Sequence, residues 1–349
     1  MIVSVSLARN DADIIEAFVR HHARWIDRML ILCHFSQDRT PQILRALSAE
    51  GFPLDISEDN GIGRLQSHRA TELMRAAVAR YEPDWILPLD VDEFLVSLSD
   101  NDPRTVLDSL PPDRVVLIPW RSYVPTPSDD PDEPNALHRI QHRRESELNP
   151  WSKAGIPVRL ARARHAVIAA GNHGLVNGKT DQPFPTAETD RLALAHFPVR
   201  SERQLRVKVL GNWLSYLTEP HRKRMGFHLR MLFDECRQEK PISSARLREI
   251  ALTYACKYPP KEPEANLLIV DPVDAPFGLR YAPGSVPPLE VVAQIAERLA
   301  ETIAGQGSAT GRLRSRLRLM RNALARHRTR LKEALFPAER ESAEPQRRS

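Results

Sequence analysis

The chain has 349 residues, 42% of them hydrophobic and 27% charged, which excludes a wholly disordered protein and allows a sizeable core. No apolar run approaches the roughly 20 residues of a membrane-spanning helix. The strand-like start "IVSVSLARN" shows no basic region or cleavage site of a secretory signal. Cys33, Cys236 and Cys256 are widely separated and match neither a disulfide framework nor a zinc motif, so we expect a cytoplasmic location.

The net charge of +5 is concentrated in one segment near the C-terminus. Residues 312–332 contain nine basic side chains and no acidic one. These nine positive charges exceed the net charge of the whole chain, so the rest of the chain carries a net negative charge. The basic residues are Arg312, Arg314, Arg316, Arg318, Arg321, Arg326, Arg328, Arg330 and Lys332.

Strand and helix signals alternate over the first 120 residues. The predicted strands are "IVSVSL", "RMLILCHFS", "FPLDISED", "DWILPLD" and "RVVLIPW". Helices are predicted after Asn10, which has the residue type of an N-cap, from Pro41 to Leu47, and over residues 64–81. Short apolar strands separated by helices indicate an α/β fold with a mostly parallel sheet covered on both faces.

The second half is less regular. Residues 125–150 are rich in proline and charge and predict a long surface loop, and "AGIPVRLARARHAVIAAG" and "RLALAHFPVRS" predict further strands. Helices are predicted over residues 201–217, 221–238, 244–257 and 286–305. We expect a catalytic domain over residues 1–285, a helical extension over 286–336 and a disordered tail over 337–349.

Three carboxylates follow the fourth predicted strand in "WILPLDVDEFL": Asp90, Asp92 and Glu93. Parallel sheets bind ligands at the carboxyl ends of their strands. In strand geometry Asp90 and Asp92 point to the same side, with Cβ atoms roughly 6.5–7 Å apart, and Glu93 points away. Two such carboxylates suit Mn²⁺ or Mg²⁺ bound together with substrate phosphates. The alternative is that these acids only end the strand and cap the next segment. Leu95 stands where an EF-hand loop needs glycine, so that motif is excluded.

The chain resembles the family-2-like glycosyltransferases of the GT-A fold. The similarity rests on "LARNDADIIEAFVRHHARW", "LCHFSQDRTPQIL" and "DWILPLDVDEFL", and more loosely on "WSKAGIPVRL", "AGNHGL" and "AHFPVRS". It covers about residues 1–215, and Asp11 stands where the group more often has glutamate. The resemblance implies a GT-A-like, Rossmann-like, mixed and mostly parallel sheet flanked by helices, here with a helical C-terminal extension.

The resemblance also implies roles for individual residues. Asp90 and Asp92 would hold the cation that bridges the phosphates of a nucleoside diphosphate sugar, and His196 or His173 would complete the site. The nucleotide would meet Arg9, Asn10, Asp59, Gln66 and Arg69. Weaker candidates for phosphate contacts are Lys153, Arg159 and Lys208, for which the alternative is a solvated face. A catalytic base is not located, and Glu93, Glu188 and Asp190 remain its candidates.

The expected activity is metal-dependent transfer of a sugar from a nucleoside diphosphate sugar to a glycan or lipid-linked acceptor in surface polysaccharide synthesis. Nucleotidyl transfer is less favoured because "LARNDADI" contains no glycine for a phosphate loop. A non-catalytic scaffold that binds a glycan or a partner is the third alternative. Leucines of residues 312–336 form one stripe along a predicted helix, and arginines surround that stripe. The pattern favours binding to an anionic membrane surface on the cytoplasmic side, or packing on the domain, over binding to nucleic acid.

Overall fold

A computed structural model describes residues 1–61, 63, 66–149, 151–217, 227–238, 240–256, 258, 267–281, 284 and 286–307. Its contacts divide the chain into a unit Met1–Ile295 and a unit Ala296–Ser349. The basic segment 312–336 and the tail 337–349 lie outside the described residues, so the domain boundaries and the membrane contact stay predictions. Within the described ranges, no helix combines the length and the apolar character needed to cross a membrane.

The first half of the chain alternates strands and helices, as its sequence predicts. Its strands are β1 (Ile2–Ala8), β2 (Arg28–His34), β3 (Leu54–Asp59), β4 (Trp85–Pro88), β5 (Glu93–Ser97) and β6 (Val115–Ser122). Its helices are α1 (Ile15–His22), α2 (Thr40–Ala49), α3 (Gln66–Tyr81) and α4 (Pro103–Asp108).

The second half contains shorter strands and a helical end. Its strands are β7 (His142–Arg144), β8 (Ser152–Pro157), β9 (Ala166–Ile168), β10 (Leu175–Asn177), β11 (Thr186–Glu188), β12 (Leu192–His196) and β13 (Leu268–Val270). A 3₁₀ turn spans Ala170–Asn172. The helices are α5 (Ala136–Arg139), α6 (Val158–Ala161), α7 (Glu202–Tyr216), α8 (Phe227–Cys236), α9 (Ser244–Leu252) and α10 (Pro288–Gly307).

The main sheet has the strand order β3-β2-β1-β4-β8-β6-β12-β5, with β11 paired to β6. Strands β1 to β4 are parallel, β12 and β11 run parallel to β6, and β8 and β5 run antiparallel to their neighbours. The mixed, mostly parallel α/β sheet is therefore confirmed. Since β8 is antiparallel to both β4 and β6, the carboxyl ends of β1, β4, β6 and β12 meet at one edge, together with the first residues of β8 and β5.

Both faces of the sheet are buried, because successive strand residues point to opposite sides. Ile2 and Leu87 belong to the apolar cluster that contains residues of α1 and α2, whereas Val3 and Ile86 pack with residues of α3. A third cluster joins α7, α8 and α9. Near-continuous apolar strands such as β4 are explained by this two-sided burial.

Three local predictions are wrong. Asn10 is not the N-cap of α1, which begins at Ile15: its φ is +55°, and its side chain exchanges two hydrogen bonds with Gln37. The segment 125–150 is not one surface loop, because it contains α5 and β7, and Leu137 is buried in the core. The predicted strand from Ala154 onward is interrupted by α6 and the 3₁₀ turn.

Candidate active site

A cavity of about 340 Å³ opens at the edge where these strand ends meet. Five strands contribute to its wall: Arg9 follows β1, Asp90 and Asp92 follow β4, Trp120 lies near the end of β6, Lys153 lies near the start of β8 and His196 ends β12. Helix α7 closes one side with Lys208. The topology therefore brings together side chains that are distant in the sequence.

The acidic cluster lies in a turn and not in a continuous strand. Strand β4 ends at Pro88 and β5 begins at Glu93, and the Glu93 amide donates to the Asp90 carbonyl at 3.0 Å. The expectation from strand geometry, in which Glu93 points away from both aspartates, is wrong. The turn folds Glu93 back so that its Oε2 accepts from the Asp90 amide at 3.1 Å.

Asp90 is the more accessible carboxylate of the cluster, with 30% of its side chain exposed. Its Oδ2 accepts from Lys153 Nζ at 2.5 Å, and its Oδ1 accepts from Asn172 Nδ2 at 3.1 Å and from Gln66 Nε2 at 3.3 Å. Lys153 is itself buried, so the solvated face considered for it is excluded. Burial disfavours its charge, but Asp90 and Glu93 outweigh that effect and raise the pKa of Lys153.

Asp92 is buried and surrounded by cations. Its Oδ2 lies 2.7 Å from Lys208 Nζ and 3.8 Å from Arg200 Nη1, and its Oδ1 lies 3.9 Å from His196 Nε2. Burial would raise the pKa of Asp92, but Lys208, His196 and Arg200 together lower it well below its usual value. Asp92 is therefore ionised at neutral pH.

Glu93 has no exposed surface, and its carboxylate stabilises the turn from the protein interior. Its Oε1 accepts from Trp120 Nε1 at 2.8 Å and lies 3.1 Å from Lys153 Nζ. Burial raises the pKa of Glu93, and Lys153 opposes that shift. Every polar partner named here donates a hydrogen bond, which is the arrangement that an ionised carboxylate requires. Of the three acids in the turn, Glu93 is the one outside the cavity wall.

Both predicted histidines line the cavity, among aromatic rings. His196 packs against Trp120 with ring centroids 4.1 Å apart, and His173 stacks on Trp151 at 4.8 Å. Burial lowers the pKa of His196 to about 3, so its ring is neutral, and its buried Nδ1 has no hydrogen-bond partner among the described residues. Gly171 is required beside His173, because its φ is +72° and a Cβ there would lie 2.6 Å from the histidine ring.

The predicted nucleotide contacts divide into two groups. Arg9, Asn10 and Gln66 line the cavity, and Arg9 Nη1 donates to Ser215 Oγ at 2.5 Å. Asp59 and Arg69 are not among the described residues that line the cavity. They bind each other, with Arg69 Nη2 and Asp59 Oδ2 2.5 Å apart. Asp59 is paired in the sheet with His34, which is a lining residue of the cavity.

The structure does not bring Glu188 and Asp190 to the cavity. Glu188 is exposed on β11, opposite Leu117 and away from the carboxyl end of β6. Asp190 precedes His196 by six residues, which is about 20 Å of extended chain. Arg159 is likewise exposed, on α6. These positions do not favour a direct role in the cavity for any of the three.

Several residues of the cavity wall were missed by sequence reasoning. Trp120, Trp151 and Tyr254 form its aromatic side, and Asp11 adds a carboxylate. Burial raises the pKa of Asp11 to about 8, although Arg200 lies 3.9 Å away. Arg200 also binds Asp13 at 2.7 Å. Asp11 lies three residues after β1 and Arg200 four residues after β12, so a position shortly after a strand is the sequence signal for these two residues.

The acids and bases at this edge fit a divalent cation that is bound together with substrate. Ion pairs join five carboxylates to three cations among the described residues: Asp11, Asp13, Asp90, Asp92 and Glu93 pair with Lys153, Lys208 and Arg200. The ring of His196 places its Nε2 3.9 Å from Asp92 Oδ1. No group of three His, Cys, Asp or Glu side chains in the described part of the chain would hold a metal alone. Mg²⁺ and Mn²⁺ commonly use one or two carboxylates plus phosphate oxygens, so the aspartates suffice.

No family model matches the chain, and no curated protein matches it. Solved structures are similar at low identity. TarS from S. aureus is 12% identical, with a TM-score of 0.36 over 63% of this chain and 66% of that one. Mannosyltransferase PcManGT from Pyrobaculum calidifontis, solved with GDP-Man and Mn²⁺, is 13% identical, with a TM-score of 0.34 over 93% and 80%. HddC from Yersinia pseudotuberculosis is 11% identical, with a TM-score of 0.30 over 55% and 92%. Similarities this low carry no argument about activity.

Proposed function

We propose that the chain is a metal-dependent glycosyltransferase that moves a sugar from a nucleoside diphosphate sugar to a glycan or lipid-linked acceptor. The observation that carries the proposal is the pair Asp90 and Asp92, which both line the cavity while Lys153 and Lys208 lie at their carboxylates. A diphosphate with a cation matches this arrangement of acids and bases. The sequence resemblance supports the same reading.

The reaction would use the charges of this edge of the sheet. A departing nucleoside diphosphate gains negative charge, and a bound Mn²⁺ or Mg²⁺ supplies several kcal/mol of stabilisation to it. Asp90 and Asp92 would hold that cation, with His196 beside Asp92. Lys153, Lys208 and Arg9 would contact phosphate oxygens, and Gln66 would contact the ribose or the diphosphate.

The aromatic side of the cavity would hold the sugar. Trp151 and His173 present stacked rings, and Tyr254 lies near His196 with centroids 5.9 Å apart. Flat apolar rings suit the C–H faces of a pyranose. The acceptor part of the proposal rests on the sequence, since a basic segment 312–336 suits an enzyme acting on lipid-linked glycans at the cytoplasmic membrane surface.

A binding titration tests this proposal. We expect UDP-, GDP- or dTDP-sugar to bind the full chain in the presence of Mn²⁺, with binding at least tenfold weaker for Asp92→Asn, because the neutral amide is a poorer metal ligand. Isothermal titration calorimetry measures both. Asp108→Asn, which changes an exposed aspartate at the end of α4, is the matched control and should bind like the wild type.

Two outcomes would contradict the proposal at different levels. If none of the three nucleotide sugars binds with Mn²⁺, the proposed function is wrong. If Asp92→Asn keeps metal-dependent binding of wild-type strength, the donor class stands and the assignment of Asp92 as a metal ligand is wrong.

A further inference from the structure

We infer that Lys208 makes the binding of a divalent cation and the binding of a diphosphate mutually dependent. The inference rests on the proposed function. It adds that the cation binds weakly when it is alone and tightly once a diphosphate is present. The residue that couples the two ligands is a lysine that neutralises Asp92 in the ligand-free chain.

Lys208 is the cation nearest to the Asp92 carboxylate among the described residues. Its Nζ lies 2.7 Å from Asp92 Oδ2, donates to the Pro198 carbonyl at 3.2 Å and lies 4.9 Å from the centre of the Tyr254 ring. The guanidinium of Arg200 adds a second positive charge 3.8 Å from the same oxygen. A divalent cation at Asp92 alone would therefore meet like charges at close range.

A diphosphate removes this conflict. Its oxygens offer the Lys208 ammonium a new anionic partner in the same cavity, and Asp92 then becomes free for the cation. By linkage, the cation must strengthen diphosphate binding by the same factor.

Lys208 suits this role better than Lys153. Lys153 has only 2% of its side chain exposed and is held by Asp90, Glu93 and the Gly171 carbonyl. Lys208 has 20% of its side chain exposed and reaches Asp92 from the separate helix α7. A part-exposed lysine on the cavity wall changes its partner at lower cost than a buried one.

The test measures Mn²⁺ binding to the full chain by electron paramagnetic resonance of the free ion, alone and with saturating UDP, GDP or dTDP. For the wild type, at least one diphosphate should tighten Mn²⁺ binding by about tenfold or more. Lys208→Met keeps the aliphatic stem and removes the charge, so it should tighten Mn²⁺ binding in the absence of diphosphate and lower the factor below that of the wild type, leaving only the coupling from direct contact between the cation and the diphosphate.

Two further variants complete the test. Lys208→Arg keeps the positive charge and should keep the coupling, which a merely structural role of the lysine stem would not explain. Lys179→Met removes an exposed lysine from the turn after β10 and should leave every Mn²⁺ affinity unchanged.

The outcomes separate this inference from the proposed function. If diphosphates bind and the coupling factor is the same in Lys208→Met as in the wild type, the inference is wrong while the function stands. The inference is also wrong if the wild type binds Mn²⁺ equally well with and without diphosphate. If no diphosphate binds, the proposed function fails, and the inference fails with it.

Discussion

Glu93 belongs to the acidic motif by sequence but supports the site from outside the cavity. Its carboxylate accepts hydrogen bonds from the Trp120 indole and the Asp90 amide and pairs with Lys153. Through these contacts one buried side chain fixes the turn, an aromatic residue of the cavity wall and the lysine that binds Asp90. We therefore regard Glu93 as a positioning residue.

Replacing Glu93 with glutamine should destabilise the fold by about 3 kcal/mol. The amide group cannot accept from three donors, and Lys153 loses the buried one of its two anionic partners. The free energy of unfolding in urea at pH 7 measures the effect. Glu188→Gln changes an exposed glutamate and should stay within about 0.5 kcal/mol of the wild type. Equal stability of the two variants would show that Glu93 does not hold the turn.

Sequence reasoning found the residues that follow directly from strand ends. Asp90, Asp92 and His196 could be placed because a parallel sheet presents its carboxyl ends at one edge. Lys153 is only a weaker candidate from the sequence, and Trp120 is not a candidate at all, because both depend on which strands become neighbours. The strand order β4-β8-β6 cannot be read from local patterns. For the same reason Glu188 and Asp190, in a polar stretch close to a strand, could not be separated from true cavity residues.

At the scale of elements, two histidines of α1 protect the outer edge of β5. His21 Nε2 donates to the Leu95 carbonyl at 2.8 Å, and the Leu95 amide donates to His22 Nε2 at 3.1 Å. His22 Nδ1 donates to the Phe18 carbonyl at 2.9 Å, so both of its ring nitrogens are used in the neutral form. The sheet ends at β5, and these bonds satisfy backbone groups that an edge strand would leave open.

This clamp makes the fold sensitive to acid. Burial lowers the pKa of His21 to about 4, from 6.5, and lowers that of His22 as well. Between these values the unfolded chain binds a proton that the folded chain does not, so stability is complete above about pH 6.5 and falls as the pH decreases toward 4. His21 alone should cost about 2 kcal/mol between pH 7 and pH 5.

Urea unfolding at pH 7 and pH 5 tests this expectation with His21→Asn, which cannot titrate. The loss of stability on acidification should be smaller by about 2 kcal/mol in this variant than in the wild type. His68→Asn, which changes an exposed histidine of α3, should keep the wild-type pH dependence. An unchanged pH dependence in His21→Asn would contradict the clamp.

The elements that the sequence predicted are those with a clear apolar pattern. Strands β1, β2 and β4 are buried on both faces and were found, whereas β5 follows the acidic turn so closely that it reads as a continuation of β4. The segment 125–150 was read as a loop from its prolines and charges, yet Ala136, Leu137 and Ile140 belong to the core. The composition of a whole segment does not show that a few of its residues are buried in the core.

At the scale of the whole molecule, the sheet explains why the site exists at all. Two strands of the main sheet are antiparallel to their neighbours: β8 lies between β4 and β6, and β5 forms the edge next to β12. The starts of β8 and β5 therefore lie at the edge where β1, β4, β6 and β12 end. Acids and bases that follow β1 and β4, lie near the start of β8 or end β12 thereby face one cavity. Their mutual ion pairs stabilise the ligand-free chain, and a cation with a diphosphate would replace part of them.

The most direct measurement is an anomalous scattering map at the manganese absorption edge, from crystals of the full chain grown with Mn²⁺ and the nucleotide sugar that binds most tightly. The proposal predicts a strong manganese peak within about 2.5 Å of a carboxylate oxygen of Asp90 or Asp92, in contact with the diphosphate. A nucleotide bound in this cavity without manganese at either aspartate, or a manganese ion bound elsewhere on the chain, would contradict it.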